Sequence, residues 1–292
     1  MPYNQGAIMN NPASAAGRFN FLDSDLSVNR LGYGAMQLAG THVFGPPKNP
    51  DEARAVLREA IELGIDHIDT SDFYGPHVTN ELIHETLYPY SNSLVLVTKI
   101  GFRRDEQGGW LPQHDEAFLR QSVEDNLTRL GLNSLAIVNL RMVDQDHDVA
   151  APMRVMRAMQ DEGLIKHIGI STVSAEQIAA ARDIATLVCV QNHYNLAHRS
   201  DDALIDMLAE AGIAYVPYFP LGGFSPLQSA ELKAVAAEIG VSAQSVALAW
   251  LLNRSPNILV IPGTSSRVHL RENVDAASIK FTVAQREQLN AI

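Results

Sequence analysis

The sequence predicts an α/β protein folded as a (β/α)8 barrel, the TIM-barrel architecture. Eight short apolar runs alternate with amphipathic segments from Val28 to the C-terminus. The runs lack polar alternation, which is typical of parallel strands covered by helices. Short links favour parallel pairing, and eight such units close most simply into a barrel. A doubly wound open sheet is the alternative, but the glycines of LGYGAMQLAG lack the spacing of its phosphate-binding turn.

The predicted strands are, in order, RLGYGAM (30–36), DHID (66–69), SLVLVTKI (93–100), SLAIVNLR (134–141), KHIGIS (166–171), LVCVQN (187–192), IAYVPYF (213–219) and NILVIPG (257–263). Between them, segments such as DEARAVLREAIELG (51–64) and DEAFLRQSVEDNLTRLGL (115–132) repeat apolar residues with the period of a helix. Their glycines, Gly64 and Gly131, mark helix ends. No linker or shift in composition divides the chain. We therefore predict one barrel domain over residues 19–292, preceded by a flexible N-terminal tail of residues 1–18.

Composition and charge restrict the class of protein. Apolar residues make up 46% of the 292 residues and charged residues 19%, which suits a globular protein with a sizeable core. The net charge of −11 comes without a basic patch, so nucleic acid is not an expected partner. The single cysteine, Cys189, lies in an apolar run, so we expect it to be buried. With one cysteine and no His-x-x-x-His pair, no metal site is expected.

The expected location is the cytoplasm. No run approaches the roughly 18 apolar residues of a membrane helix. The first residues, MPYNQGAIMNNPASAAGRF, do not have the pattern of a secretory signal. A membrane is therefore not an expected partner, and both a monomer and a small homo-oligomer remain open.

Polar side chains follow several predicted strands where each strand ends, and in a barrel these ends meet at the rim that carries the active site. Taken singly, a tyrosine there is usually a packing residue and a lysine is usually solvated. Lys99, however, follows an apolar run, so its burial requires a nearby anion, and Asp69 ends a neighbouring strand. An ammonium beside a phenol favours the ionised phenol. We therefore expect Tyr74, in IDTSDFYG, to exchange a proton as a general acid.

From about Val28 to the C-terminus the chain resembles the aldo-keto reductases. That family uses an Asp, Tyr, Lys and His set, and the resemblance assigns catalytic roles to Asp69, Tyr74 and Lys99. The segment LGLNSLAIVNLRMVD resembles the one that ends in the family's His, but Arg141 stands at that position. Arginine is always charged and cannot relay a proton, yet its planar fork can hydrogen-bond a carbonyl oxygen.

The resemblance implies NADPH as the cofactor, with NADH as the alternative. Thr172 stands where the family usually has Asn, and Gly263 and His269 replace two common cations. Ser265, Arg267, Arg271 and Asn273 remain to compensate. Tyr218 matches the aromatic residue that stacks on the nicotinamide. The expected cofactor-binding residues are Gly34, Ala35, Met36, Asp69, Ser171, Thr172, Gln191, Tyr218, Phe219, Leu221, Gly222, Gly263, Thr264, Ser265, His269, Glu272 and Asn273.

Three stretches, LAGTHVFGPP, DFYGPHVTNE and HYNLAHR, resemble a bacterial subgroup of the family that includes pyridoxal reductases. The implied reaction is hydride transfer from NAD(P)H to an aldehyde or ketone, with pyridoxal as one candidate. The expected substrate-binding residues are Tyr74, His77, Trp110, Arg141 and His193, with Phe224 beside them. The alternative is a nicotinamide-binding sensor or interaction subunit with little turnover, because some relatives of that kind also lack the His.

Overall fold

The structure, a computed structural model, describes residues 11–144, 146–223 and 227–292. Within these ranges the strands are β1 (Arg18–Asn20), β2 (Ser27–Asn29), β3 (Tyr33–Gly34), β4 (His67–Asp69), β5 (Val95–Ile100), β6 (Phe102–Arg104), β7 (Trp110–Pro112), β8 (Leu135–Arg141), β9 (Ile165–Ser171), β10 (Leu187–Gln191) and β11 (Ala214–Tyr215). Seven of them form one parallel sheet in the order β3, β4, β5, β8, β9, β10, β11. The sheet order therefore follows the chain order, as a barrel requires.

The eighth predicted strand closes the ring. Its residues Ile258 and Val260 form parallel bridges to Tyr215 and Leu31, the two edges of the seven-stranded sheet. The Val260 N–H donates to the Arg30 carbonyl oxygen at 2.9 Å, and the Leu259 N–H donates to the Tyr215 carbonyl oxygen at 2.9 Å. The pairing is too short to count as a strand, but it completes the predicted (β/α)8 barrel.

The helices in the described ranges are α1 (Pro50–Glu62), α2 (Val78–Leu87), α3 (Glu116–Leu130), α4 (Ala150–Asp161), α5 (Ala175–Arg182), α6 (Asp202–Glu210), α7 (Ala230–Ile239), α8 (Ala243–Arg254), α9 (Arg267–Asp275) and α10 (Val283–Asn290). Their ends follow local sequence. The Asn49 side chain accepts the Glu52 N–H at the start of α1. At the end of α3, Gly131 takes φ 64, a conformation that favours glycine.

Two apolar layers hold the barrel together. Inside the ring, side chains from alternate strand positions pack together, among them Val97, Ile137, Cys189 and Val216. A larger layer lies between the strands and the outer helices. Burial raises the pKa of the Cys189 thiol to about 12, so the cysteine is the buried apolar residue that its context predicts.

The N-terminal end of the barrel is covered by the β1–β2 hairpin, whose Phe21 and Val28 pack into the inner layer. Before it, Pro12–Ala16 forms a 3-10 helix in which Ala13 is fully buried. The Ala13 N–H donates to the Leu63 carbonyl oxygen at 3.1 Å. Residues 11–18 of the predicted tail thus contact the barrel in this structure, because small apolar side chains there pack on it. Residues 1–10 of that tail lie outside the described ranges.

In the described part of the chain, no single helix is long and apolar enough to cross a membrane. The helices α7 and α8 meet the criteria of length and composition only as a pair, and they are bent by 94° relative to each other. Most of α8 is buried in the protein core.

Candidate active site

A buried ion pair lies at the carboxyl ends of β4 and β5. The Lys99 ammonium donates to the Asp69 carboxylate and, at 3.0 Å, to the Thr70 carbonyl oxygen. Lys99 is 5% exposed and Asp69 is 3% exposed. The second Asp69 oxygen accepts the Gln191 side-chain amide at 2.7 Å. Each charge is thus matched and hydrogen-bonded, which is the condition for keeping an ion pair away from water.

Tyr74 lies directly beside this pair. The Lys99 nitrogen is 5.1 Å from the centre of the Tyr74 ring, and the ring is 5% exposed. Burial lowers the pKa of the Lys99 ammonium, but the Asp69 carboxylate and the Tyr74 oxygen outweigh that effect, and the pKa lies above its ordinary value. Lys99 therefore keeps its positive charge next to the phenol at neutral pH. The structure brings together the three residues that the sequence places at strand ends.

Buried side chains hold the loop after β4 in place. The Ser71 hydroxyl donates to the Lys99 carbonyl oxygen at 3.0 Å, which ties the loop to β5. The Thr70 hydroxyl donates to the Asn80 side-chain oxygen at 2.9 Å. Asn126 on α3 then accepts both the Asn80 amide, at 2.8 Å, and the Thr98 hydroxyl, at 2.6 Å. These contacts fix the backbone around Asp69 and Lys99 to two outer helices.

Asp72, the second carboxylate of IDTSDFYG, belongs to this supporting structure. It accepts Arg129 at 2.9 Å and the His77 ring nitrogen at 2.8 Å. His77 was predicted to bind substrate, but the structure places it in a separate groove on the far side of Lys99, next to Phe118. Its ring is held by the hydrogen bond to Asp72, which the sequence pattern does not reveal.

A cleft of about 310 Å³ opens beside Tyr74 and Lys99 and extends to the segment that closes the barrel. The predicted cofactor residues that line it are Gly34, Met36, Asp69, Tyr218, Phe219, Leu221 and Gly263. Gln37 and Gln244 line it as well and were not predicted. Gln244 lies in the first turn of α8, where a polar residue is ordinarily solvated. No sequence pattern therefore marks it as a residue of the cleft.

Gln191, which holds Asp69, has free hydrogen-bonding capacity, although it lines a small internal cavity below Asp69 and not the cleft itself. Gln191 is 1% exposed, and its side-chain oxygen has no partner among the described residues. An orphaned buried acceptor costs free energy unless a ligand satisfies it. Ser171 is buried nearby in the sheet, and the Thr172 N–H donates to the Gln191 carbonyl oxygen at 3.0 Å. Thr172 has φ 63, a left-handed conformation that Asn tolerates far better than a β-branched residue.

One end of the cleft is built around two glycines, Gly34 and Gly263. A Cβ on Gly34 would lie 2.5 Å from the Ile261 carbonyl oxygen, and a Cβ on Gly263 would lie 2.6 Å from the Gly34 carbonyl oxygen. Any side chain at position 263 therefore requires the backbone around Gly34 to shift. Ala35 is fully buried next to this contact.

The remaining predicted cofactor residues lie on α9 or, for Thr264 and Ser265, just before it. Arg267 pairs with Glu52 at 3.3 Å, and Arg271 pairs with Glu59. The two arginines expected to compensate for the missing cations are therefore already engaged by α1. His269 is exposed, and the others are Thr264, Ser265, Glu272 and Asn273, of which Thr264 and Asn273 are buried. Gly222, on the other side of the cleft, has φ 92 and donates its N–H to the Phe219 carbonyl oxygen at 2.9 Å.

An aromatic and cationic wall stands beside Tyr74. The Trp110 ring lies 6.5 Å from the Tyr74 ring, centre to centre. The Arg141 guanidinium lies 4.6 Å from the Phe102 ring centre and 5.5 Å from that of Trp110. Within the described ranges no hydrogen bond or ion pair engages that guanidinium. Arg104, which the sequence analysis missed, covers Trp110 at 4.0 Å and donates to the carbonyl oxygen of residue 43 at 2.7 Å.

His193 was also predicted to bind substrate, but it does not line the cleft. Its ring is stacked between His198, at 4.1 Å, and Tyr218, at 5.6 Å. It therefore covers one face of the aromatic residue that borders the cleft. Phe224 lies outside the described residues.

A parallel barrel with a buried Lys99–Asp69 pair beside Tyr74, and a cleft next to them, is an arrangement suited to an oxidoreductase. The sequence profile of the Aldo/keto reductase family matches residues 30–292, and the chain belongs to that family. The protein is thus an enzyme of the oxidoreductase class.

Two curated relatives are similar over most of their length. Pyridoxine 4-dehydrogenase of Escherichia coli (strain K12) is 58% identical over 272 residues, which cover 91% of this chain and 95% of the relative. An uncharacterized oxidoreductase of Schizosaccharomyces pombe is 38% identical over 259 residues, which cover 88% of this chain and 84% of the relative.

Known structures show the same fold. A thermostable aldo-keto reductase in complex with the inhibitor epalrestat superposes with a TM-score of 0.81 at 26% identity, covering 94% of this chain and 98% of that one. An aldo-keto reductase from Klebsiella pneumoniae in complex with NADPH gives a TM-score of 0.75 at 22% identity, covering 91% of both chains.

Proposed function

We propose that this enzyme reduces an aldehyde to an alcohol with NADPH, that pyridoxal is its substrate, and that NADH is the weaker coenzyme. The observation that carries the proposal is the buried Lys99–Asp69 pair beside Tyr74 at the mouth of the barrel. An ammonium held permanently next to a phenol has no structural necessity, since apolar residues would pack as well. It serves a phenol that must give up a proton.

The residues around the cleft fit a nicotinamide dinucleotide. Gln191 offers its unpartnered oxygen to the amide of the nicotinamide, with Ser171 and Thr172 beside it. Tyr218 offers a ring for stacking, and the tight Gly34–Gly263 contact leaves backbone, not side chains, at the far end. When bound, the coenzyme supplies a hydride to the carbonyl carbon.

The proton step belongs to this chain. Tyr74 donates its hydroxyl proton to the carbonyl oxygen, and the Lys99 ammonium stabilises the phenolate that remains. Asp69 keeps Lys99 charged and oriented, with the Gln191 amide holding the carboxylate from the other side. Arg141, whose donors are free within the described ranges, hydrogen-bonds the carbonyl oxygen and takes no part in proton transfer.

The substrate assignment rests on the wall beside Tyr74 and on similarity. Trp110 and Arg141 form a flat aromatic and cationic surface that suits a planar, polar aldehyde such as pyridoxal. The 58% identical relative is named for the related alcohol, pyridoxine. We assign substrate contacts to Tyr74, Trp110 and Arg141, because Trp110 lies next to Tyr74 and Arg141 lies next to Trp110. We assign supporting roles to His77, which is hydrogen-bonded to Asp72, and to His193, which stacks on Tyr218.

The alternative of a nicotinamide-binding sensor receives no support. The Asp69, Tyr74 and Lys99 set is complete, and the curated relatives are named as a dehydrogenase and an oxidoreductase. We further propose a cytoplasmic enzyme, monomeric or a small homo-oligomer, whose partner is a small carbonyl compound and not nucleic acid.

The test is an absorbance assay of NADPH oxidation with a panel of aldehydes that includes pyridoxal, repeated with NADH. Tyr74→Phe should lower turnover by at least about a hundredfold while the Kd for NADPH stays within about twofold. Tyr90→Phe is the matched control, because Tyr90 also loses one hydroxyl hydrogen bond, to Leu130, far from the cleft. Parental turnover by Tyr74→Phe would refute the assignment. Tight NADPH binding without turnover of any aldehyde would favour the sensor.

A further inference from the structure

The stretch HYNLAHR forms a stacked column behind the coenzyme cleft. The His193 and Tyr218 rings are nearly parallel, with an interplanar angle of 7° and a centre distance of 5.6 Å. The His198 ring continues the stack at 4.1 Å and 16°. His193 covers one face of the Tyr218 ring, and Tyr218 also lines the cleft. The stack of rings therefore ends at the cleft.

The column is held by main-chain pairing as well as by ring contact. The Tyr218 N–H donates to the Asn192 carbonyl oxygen at 3.0 Å, which extends the β10–β11 pairing to His193 and Tyr218. A tight turn brings His198 back onto His193, with Asn195 and His198 exchanging both backbone hydrogen bonds at 3.1 and 3.0 Å. The three rings therefore have fixed spacing.

The side-chain amide of Asn195 faces the His193 ring. Its side-chain oxygen accepts the Ala197 N–H at 3.0 Å, and this contact fixes which end of the amide is the nitrogen. That nitrogen donates to the Phe219 carbonyl oxygen at 3.0 Å and faces His193 Nε2 at 3.4 Å. Because an amide nitrogen can only donate, this contact is a hydrogen bond only when Nε2 is the acceptor, so the arrangement favours the neutral His193 ring.

We propose that His193 is a positioning residue for the coenzyme: its neutral ring supports the rear face of Tyr218 and fixes the plane on which the nicotinamide stacks. The inference rests on the proposed function, since Tyr218 is the proposed stacking partner. Tyr218 is only partly buried, so without His193 its ring is free to turn into the vacated space. The plane of the Tyr218 ring is then no longer fixed, so a nicotinamide stacked on that ring is no longer held in the orientation that hydride transfer requires.

The charge of His193 gives its proposed positioning role a measurable consequence. Oxidised nicotinamide is positive and reduced nicotinamide is neutral. A protonated His193 would lie roughly 9 Å from the stacked ring, where a like charge weakens binding by about five- to twentyfold at an effective dielectric constant of about 20–40. The other groups facing His193 are His198, Tyr218 and, through Asn192, Asp201. Burial, with the charge of His198, lowers the pKa of His193, while Asp201 opposes the shift.

The test measures the Kd of NADPH and of NADP⁺ by fluorescence between about pH 5 and 8. The ratio of the two constants cancels the titration of phosphates and of His269, which both coenzymes share. In the parent enzyme the ratio of the NADP⁺ to the NADPH constant should rise several-fold as the pH falls below about 6.5. In His193→Phe, which keeps a ring but cannot titrate, that ratio should be constant with pH and the NADPH Kd should stay within about threefold of the parent. His193→Ala should raise the NADPH Kd at least about fivefold.

The matched control is His84→Phe, because His84 also packs against a tyrosine ring, that of Tyr88 with centres 4.8 Å apart and a tilt of 34°, on the outer surface of the barrel. It should behave as the parent at every pH. A pH-independent ratio in the parent, a parental pH profile in His193→Phe, or a parental NADPH Kd in His193→Ala would each overturn the proposal. If His193→Ala does not fold, His193→Phe alone decides. Failure of the proposed function looks different, because the parent enzyme itself would then either not bind NADPH or bind it without turning over any aldehyde.

Discussion

Replacing Lys99 by methionine separates the two halves of the buried ion pair. Methionine fills a similar volume, so packing is largely kept, and the change removes the ammonium that faces Asp69. The side chains are 6% and 4% exposed, so water cannot replace the lost partner. Asp69 retains the Gln191 amide at 2.7 Å, but that donor is neutral. The variant therefore carries an uncompensated carboxylate in the barrel mouth.

Breaking a buried pair costs about 3–5 kcal/mol of unfolding free energy, and we expect Lys99→Met to lie near the lower limit, at about 3 kcal/mol, because Gln191 remains. Adding Asp69→Asn removes the stranded charge, so the double variant should recover all but about 1 kcal/mol. The pKa of Lys99 is raised in the folded protein, so the contribution of the pair is complete below the unfolded pKa near 10.4 and declines only as the pH rises through the higher folded value. The loss of unfolding free energy caused by Lys99→Met should thus be constant between about pH 6 and 9.

Urea unfolding followed by circular dichroism measures these differences. Arg120→Met is the matched control, because Arg120 pairs with Glu162 at 2.8 Å on the protein surface and its loss should change stability little. A deficit for Lys99→Met no larger than that of the control would refute the reasoning. So would additive costs in the double variant.

Four further predictions follow from particular contacts. Thr172→Asn should raise the unfolding free energy by about 1 kcal/mol in thermal denaturation, because Asn accepts φ 63; lower stability would show that the threonine is not strained. Gly263→Ala should lower it by about 1–3 kcal/mol and weaken NADPH binding in fluorescence titration, because its Cβ meets the Gly34 oxygen at 2.6 Å; unchanged values would contradict this. Asn126→Ala should cost about 2–3 kcal/mol in urea, because it strands two buried donors, and an effect below 0.5 kcal/mol would be inconsistent with the network. Cys189 should resist iodoacetamide at about pH 8 in the native protein, since burial raises its pKa to about 12, and rapid labelling before unfolding would disprove it.

The features predictable from sequence are those set by strand ends. Asp69 and Lys99 follow apolar runs, and in a parallel barrel all such ends meet at one rim. Their contact therefore follows from topology alone. The eighth strand was predicted from the run NILVIPG, although in the structure it pairs only through short bridges at Ile258 and Val260.

The features that sequence could not supply depend on side-chain direction in loops. His77 and His193 both follow strands, as the site residues do, yet one is drawn away by Asp72 and the other is covered by Tyr218. Arg104 gave no signal because its partners are mostly carbonyl oxygens of distant loops and an aromatic face. The packing of Ala13 was equally hidden, because a short run of small residues has no period.

The dinucleotide cleft cannot exist before the ring is complete. One of its walls, Gly34, comes from the start of the chain, and the facing wall, Ile261 and Gly263, comes from the final quarter. A nascent or truncated polypeptide that ends before these residues has half a groove and no affinity for nucleotide. Coenzyme therefore does not bind or stabilise early folding intermediates. It binds only after the two ends of the chain have met, and it then stabilises the folded enzyme by mass action.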